Sequence, residues 1–259
     1  MGYRLASREK KRGVDARAIR MMGWLALAAG IVGKTIIQNK LVAVDFDMST
    51  SLLGLAFYCL ETIAIPVFSY LLVEGILHTK RFAYYFARVA GVAALSVIPY
   101  NLAYTGNPLN FSTQNPVIGL LVAMAMVYFF RQYGGRNLKG VAISVVVVLV
   151  SMMWVKMLNV QDGIATVLLV TTYWFCRKKQ VVQVYGGAVV MVLCSVLNPN
   201  NPFTSQTVAF WNPFYIVGAL GCLIIHFYNG DPDEGNRWVN YLAYPVMLLG
   251  IWAFAEFAM

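Results

Sequence analysis

The chain has 259 residues, of which 59% are hydrophobic and 12% charged, and its mean hydropathy is +0.65. Soluble domains carry about 45–50% apolar and about 25% charged residues, so the composition excludes a water-soluble globule. Twenty Lys and Arg against eleven Asp and Glu leave a net charge of +9. In a soluble protein this balance suggests a nucleic-acid partner, whereas in a membrane protein it marks the loops retained in the cytoplasm.

The hydrocarbon core of a bilayer takes about 20 apolar residues of helix, because no backbone polar group can stay unbonded there. Nine stretches between polar breaks qualify, over residues 19–37, 52–77, 82–104, 115–130, 138–158, 163–175, 181–197, 208–228 and 238–257. The sixth is the shortest. Residues 1–18 read as a basic cytoplasmic tail and 19–259 as a single transmembrane domain. The start of the chain is basic and then apolar, but the apolar run before Ala26-Leu27-Ala28 is too short for a secretory signal, so the first stretch reads as an anchor helix.

An N-terminus inside, with each stretch reversing the side, collects seventeen of the twenty basic residues on the cytoplasmic face. They include Arg17, Arg20, Lys80, Arg81, Arg88, Arg131, Lys139, Arg177 and Arg237. The sequence thus predicts an all-α polytopic helical bundle of about nine transmembrane helices, N-terminus inside and C-terminus outside. The net charge is then a topology signal, with the lipid bilayer as partner and no nucleic acid. Cys59, Cys176, Cys194 and Cys222 lie in apolar runs without metal-ligand spacing and read as core residues, with no metal expected. The outer loops at 105–110 and 198–202 are uncharged and rich in Asn and Pro, the residues that close turns on local backbone. Trp24, Tyr104, Trp174 and Trp238 near stretch ends read as interfacial belts.

Polar groups at membrane depth are costly, so each is a functional candidate. They are Lys34, Glu61, Glu74, His78, Asn101 and His226. Glu74 and His78, four apart, share one helix face; a carboxylate beside an imidazole orients a general base, and the same spacing also suits a boundary pair that ends a helix. His226 falls at the same predicted membrane face. Lys34 and Glu61 sit at comparable depths on adjacent stretches, where pairing would relieve both desolvation costs. Glu61, Glu74 and Asn101 also suit a polar path through a small-molecule transporter.

The segment Ile65-Pro66-Val67-Phe68-Ser69-Tyr70-Leu71-Leu72-Val73-Glu74-Gly75-Ile76-Leu77-His78-Thr79, with Tyr84-Tyr85-Phe86-Ala87-Arg88 and Ile98-Pro99-Tyr100-Asn101-Leu102-Ala103-Tyr104, resembles the TraX family of polytopic bacterial membrane proteins. Tyr228-Asn229-Gly230 and Tyr241-Leu242-Ala243-Tyr244-Pro245 look like its closing motif. The resemblance implies an acyltransferase of the bacterial cytoplasmic (inner) membrane, similar to a pilin N-acetylase. Such an enzyme would move an acetyl group from cytoplasmic acetyl-CoA to an amine or hydroxyl of a membrane-associated or exported peptide, lipid or glycan. The family's matching positions are Glu74, His78, Arg88 and Asn101, which implies Glu74 and His78 as catalytic residues and Arg88 as a phosphate partner of the donor; from topology His226 is read on the same donor side, and from depth Glu61, Lys34 and Asn101 are read as substrate or structural polar groups. Family members often carry Asp-His in the first span, where this chain reads Ala28-Ala29-Gly30-Ile31-Val32-Gly33-Lys34, and His after the closing Tyr-Pro, where it has Val246 and Met247. These departures keep open a catalytically diverged assembly or partner protein.

Overall fold

A computed structural model describes residues 13–42, 48–135, 137–197, 214–231 and 237–258. Among the described residues the regular structure is helical, and extended pairing is limited to two isolated parallel bridges, Val14 with Tyr228 and Gln114 with Val160. The elements are α1 (Ala16–Val32), which continues as π-helix over Gly33–Val42, then α2 (Met48–Thr62), α3 (Ala64–His78), α4 (Phe82–Leu95), α5 (Val97–Thr105) and α6 (Pro116–Tyr133). There follow α7 (Leu138–Met157), α8 (Gly163–Phe175), α9 (Gln180–Leu197), α10 (Phe214–His226) and α11 (Arg237–Phe257).

Among the described residues six helical rods are long and apolar enough to cross a membrane: Ala16–Leu41, Leu52–His78, Phe82–Thr105, Pro116–Tyr133, Leu138–Met157 and Val239–Phe257. The apolar helices Gly163–Phe175, Gln180–Ser195 and Tyr215–His226 are shorter; the 13 residues of α8 rise only about 20 Å. All nine expected apolar stretches thus meet helix, residues 208–213 of the eighth lying outside the described residues, and six of the nine reach spanning length.

Two of the long rods are interrupted, and proline explains both. Pro66 and Pro99 each stand third in a restarted helix, three residues after the breaks at Ile63 and Ser96. A proline has no N–H to donate and crowds the carbonyl four residues back; in a first turn the N–H would be spare and the crowding is avoided. Helix α10 fills the first break. A Cβ on Gly221 would stand 2.4 Å from the Ile63 carbonyl oxygen and 2.6 Å from Pro66 Cγ, and one on Gly218 would stand 2.8 Å from the Thr62 carbonyl oxygen. Small residues let backbones approach where lipid supplies no hydrophobic drive between helices.

The outermost face follows the same logic. Helix α7 buries Gly140, Ser144, Ser151 and Val155 and exposes Val145, Val146, Leu149 and Met153. Ser144 and Ser151 donate to the carbonyls of Gly140 and Val147, four residues back, at 2.9 and 2.8 Å, so their hydroxyls are satisfied locally. Apolar residues outside and small or polar ones inside is the order expected of a lipid-facing helix. The core lies between α3, α6, α8, α9 and α10, around Val67, Tyr70, Met124, Leu169, Tyr173, Met191 and Ile225. Cys194 and Cys222 are buried there, and all four cysteines are free.

Each end of the bundle is tied by its own contacts. At one end Val14 N–H donates to Phe227 O and Asn229 N–H to Val14 O, 2.8 and 3.0 Å. Gln180 Nε2 donates to the carbonyls of Ile225 and Tyr228 at 2.8 and 3.0 Å, and Arg131 lies over the Phe82 ring. At the other end Thr35 Oγ1 donates to Ala103 O at 2.9 Å, Gln114 pairs with Asn159 and Gln161, and Lys40 meets Glu256 at 2.6 Å. The 105–110 loop closes on itself, with Gly106 left-handed at φ +69° and Asn107 and Asn110 side chains accepting from Leu109 and Ser112 N–H. The 198–202 loop lies outside the described residues.

Gly221→Leu is expected to drive α10 off the α2–α3 break and destabilise the protein by about 1–3 kcal/mol. A lowered unfolding midpoint of purified protein checks this, and a Gly250→Leu variant, where nothing lies within 4 Å of a new Cβ, serves as the neutral comparison.

Candidate functional site

A cavity of about 920 Å³ runs between α1, α3, α4, α6 and α11. Its rim carries Arg20 on α1, His78 at the end of α3, Lys80 and Arg81 in the turn that follows, and Arg88 on α4, joined by Asn240 and Tyr241 of α11. The middle is apolar, with Leu27, Phe68, Leu72, Val117 and Leu120 on its walls. Glu61 and Asp162 line its far end.

Glu74 and His78 meet at the rim. His78 Nδ1 lies 2.9 Å from the Glu74 carbonyl oxygen and 3.5 Å from its carboxylate Oε2. A carbonyl only accepts, so in the neutral ring Nδ1 carries the hydrogen and Nε2 holds the lone pair. Tyr70 stands one turn before Glu74 on the same helix. The imidazole is 68% exposed and the carboxylate side chain 21%, so the pair stands where a solute reaches it. Beside Glu74 on α3, Gly75 makes room for Tyr85 of α4, whose hydroxyl would lie 2.5 Å from a Cβ at that position.

The far end is built from α2, the π-helical segment, α5 and the turn before α8. Glu61 is 3% exposed; its Oε1 accepts from the Tyr104 hydroxyl at 2.7 Å and from Gln161 Nε2 at 3.0 Å. The Tyr100 hydroxyl donates to Gln161 Oε1 at 2.7 Å, which orients that amide. Asp162, 9% exposed, accepts from the Tyr215 hydroxyl at 2.5 Å. Among the described residues Glu61 Oε2 is buried with no hydrogen-bond partner, and it lies against Gly30, close to where a Cβ at that position would stand. The first-helix segment without Asp-His is therefore the one on which Glu61 rests.

Of the residues singled out in the sequence, Glu61, Glu74, His78 and Arg88 share this cavity. His226 does not. It ends α10 with an exposed ring against Phe227, 5.5 Å between centroids, and the cavity is instead reached by Tyr228, two residues on. Asn101 is buried and donates to Pro108 O at 3.0 Å, while its carbonyl accepts from Thr105; it closes the following loop and does not line the cavity. The Lys34 amine donates to Gln38 Oε1 at 3.0 Å, and the bonded oxygen of Glu61, Oε1, is taken by Tyr104 and Gln161, so the expected direct pair is replaced by these two.

Trp24 and Tyr104 are corrections of another kind. Trp24 packs on Phe68 and Tyr244, centroids 4.7 and 6.3 Å apart, and Tyr104 binds Glu61, so neither forms a belt; Trp174 is buried beneath Arg177 at 4.4 Å. The side chain of Trp238 lies outside the described residues. Sequence reasoning missed Asp162, Gln161 and Arg20. The one available signal for Asp162 was an acid set between two apolar runs, and Arg20 is indistinguishable from ordinary loop charge until its helix is packed.

No curated protein and no solved structure matches the chain. The family model described as TraX protein matches residues 18–254, a stretch that includes every cavity residue except Ala16, and the chain belongs to the TraX family.

Proposed function

We propose that the chain is a membrane acyltransferase that takes an acetyl group from acetyl-CoA at the basic rim and passes it to an amine or hydroxyl of a membrane-associated or exported acceptor. The observation that supports this reading is that one cavity collects a carboxylate-held imidazole and the cations Arg20, Lys80, Arg81 and Arg88. Guanidinium and ammonium groups suit the phosphates of the donor, and the apolar middle suits its uncharged arm. His78 Nε2 takes the proton of the acceptor, and the freed lone pair attacks the thioester carbonyl. When the tetrahedral adduct collapses, the carbon–sulfur bond breaks and the CoA thiolate leaves, taking the proton back from the imidazolium. Glu74 keeps the ring oriented and offsets its charge.

We place the rim on the cytoplasmic side of a bacterial inner membrane. Nine crossings, the shorter helices tilted or seated where the bilayer thins, return seventeen basic residues to that side. A reporter fused after Met259 is then expected to be active as periplasmic phosphatase and dark as a fluorescent protein; the opposite pattern places the C-terminus inside.

A second reading, a catalytically diverged partner protein, draws on the exposure of His78 and on Gly30 standing at the first-helix position beside Glu61. The two separate by experiment. Purified protein with acetyl-CoA and candidate acceptors is expected to release CoA, with turnover falling about 10²–10⁴-fold in His78→Ala. Unchanged turnover in that variant removes His78 from the mechanism, and absence of both acetyl-CoA binding and CoA release favours the partner protein. Arg88→Ala is expected to raise KM for acetyl-CoA with little change in kcat.

A further inference from the structure

We propose that the far end of the cavity is a recognition site for the cationic head of an amphipathic organic amine, with Glu61 and Asp162 as its charge partners. Two acidic side chains, both nine-tenths or more buried, line the same cavity floor. Each has one oxygen engaged by tyrosine, and Glu61 Oε2 has no partner. Leaving such an oxygen buried and unbonded is costly, and an ammonium donor arriving through the cavity removes that cost.

The charges around the floor favour a cation. Among the described residues that line the cavity, Glu61 and Asp162 are at the floor, whereas the basic side chains Arg20, Lys80, Arg81 and Arg88 are at the rim. Tyr244 shares the cavity wall, and an aromatic face attracts a cation further. The middle of the cavity decides the class of ligand: Leu27, Phe68, Leu72 and Val117 suit a hydrocarbon body and offer nothing to the hydration shell of a bare metal ion. Glu61 and Glu74 are thirteen residues apart on one rod, roughly 20 Å. The floor therefore holds a part of the ligand remote from His78, and the site stands whether or not the chain transfers acyl groups.

The test uses the full chain in lipid nanodiscs, without thioester, and follows the unfolding midpoint against 2-phenylethylammonium, with 2-phenylethanol and sodium chloride at equal ionic strength as comparisons. The amine is expected to give a saturable rise of about 2–4 °C or more, which is lost in Glu61→Gln and Asp162→Asn and kept in Glu256→Gln. Glu61→Gln retains the acceptor oxygen for Tyr104. As a readout that needs no variant, the amine is expected to slow modification of Glu61 by a hydrophobic carbodiimide, mapped by mass spectrometry. No saturable rise, a rise equal in Glu61→Gln, or no protection of Glu61 overturns the site. A Glu61-dependent rise with sodium and none with the amine overturns the organic class.

Discussion

A chain that sits in hydrocarbon must bond every backbone and side-chain polar group to itself, and much of this structure follows from that requirement. It favours helix, and Pro66 and Pro99 stand in the first turn of a restarted helix, where the N–H is spare, while Pro245 lies inside α11. It turns the hydroxyls of Ser144, Ser151, Thr166, Thr171 and Thr172 back onto carbonyls four residues earlier in or just before their own helices. The same requirement makes an unbonded atom informative. Among the described residues Glu61 Oε2 and Ser69 Oγ are the buried side-chain atoms left without a hydrogen bond, and of the two Glu61 lines the cavity.

The break at Ile63 shows how the constraint reaches function. A straight helix from Leu52 to His78 would have closed its own carbonyls and needed no partner. Broken before Pro66, the rod presents the carbonyls of Thr62 and Ile63 to α10, and Gly218 and Gly221 let that helix come close. The rod so held carries Glu61 at one end of the cavity and Glu74 with His78 at the other. Close packing of a featureless apolar helix thereby positions the charged groups on a different face of its neighbour.

The rim and the floor differ in electrostatic character. Arg20, Lys80, Arg81 and Arg88 gather near water, where positive charge costs little, and the acids lie where water is excluded. A ligand spanning the cavity meets opposite charge preferences at its two ends with an apolar passage between them.

Composition and hydrophobic runs were enough to determine a helical membrane protein, its rods to within a few residues, and the Glu74–His78 pair, because these depend on neighbours in the chain or on transfer of whole segments to lipid. The motif around Glu74 and Tyr100 was enough to reach the family. The site's membership was decided by packing. His226 and His78 look alike along the sequence, yet only one faces the cavity, since which side of a uniformly apolar helix turns inward depends on the helices beside it. Lys34 and Glu61 have matching depth, but Tyr104 and Gln161, from α5 and the turn before α8, take the carboxylate first. Asp162 reads as a loop acid until the fold buries it beside Tyr215. Local periodicity carries no information about which distant side chain arrives at a buried oxygen, and that contact is what tertiary structure alone supplied.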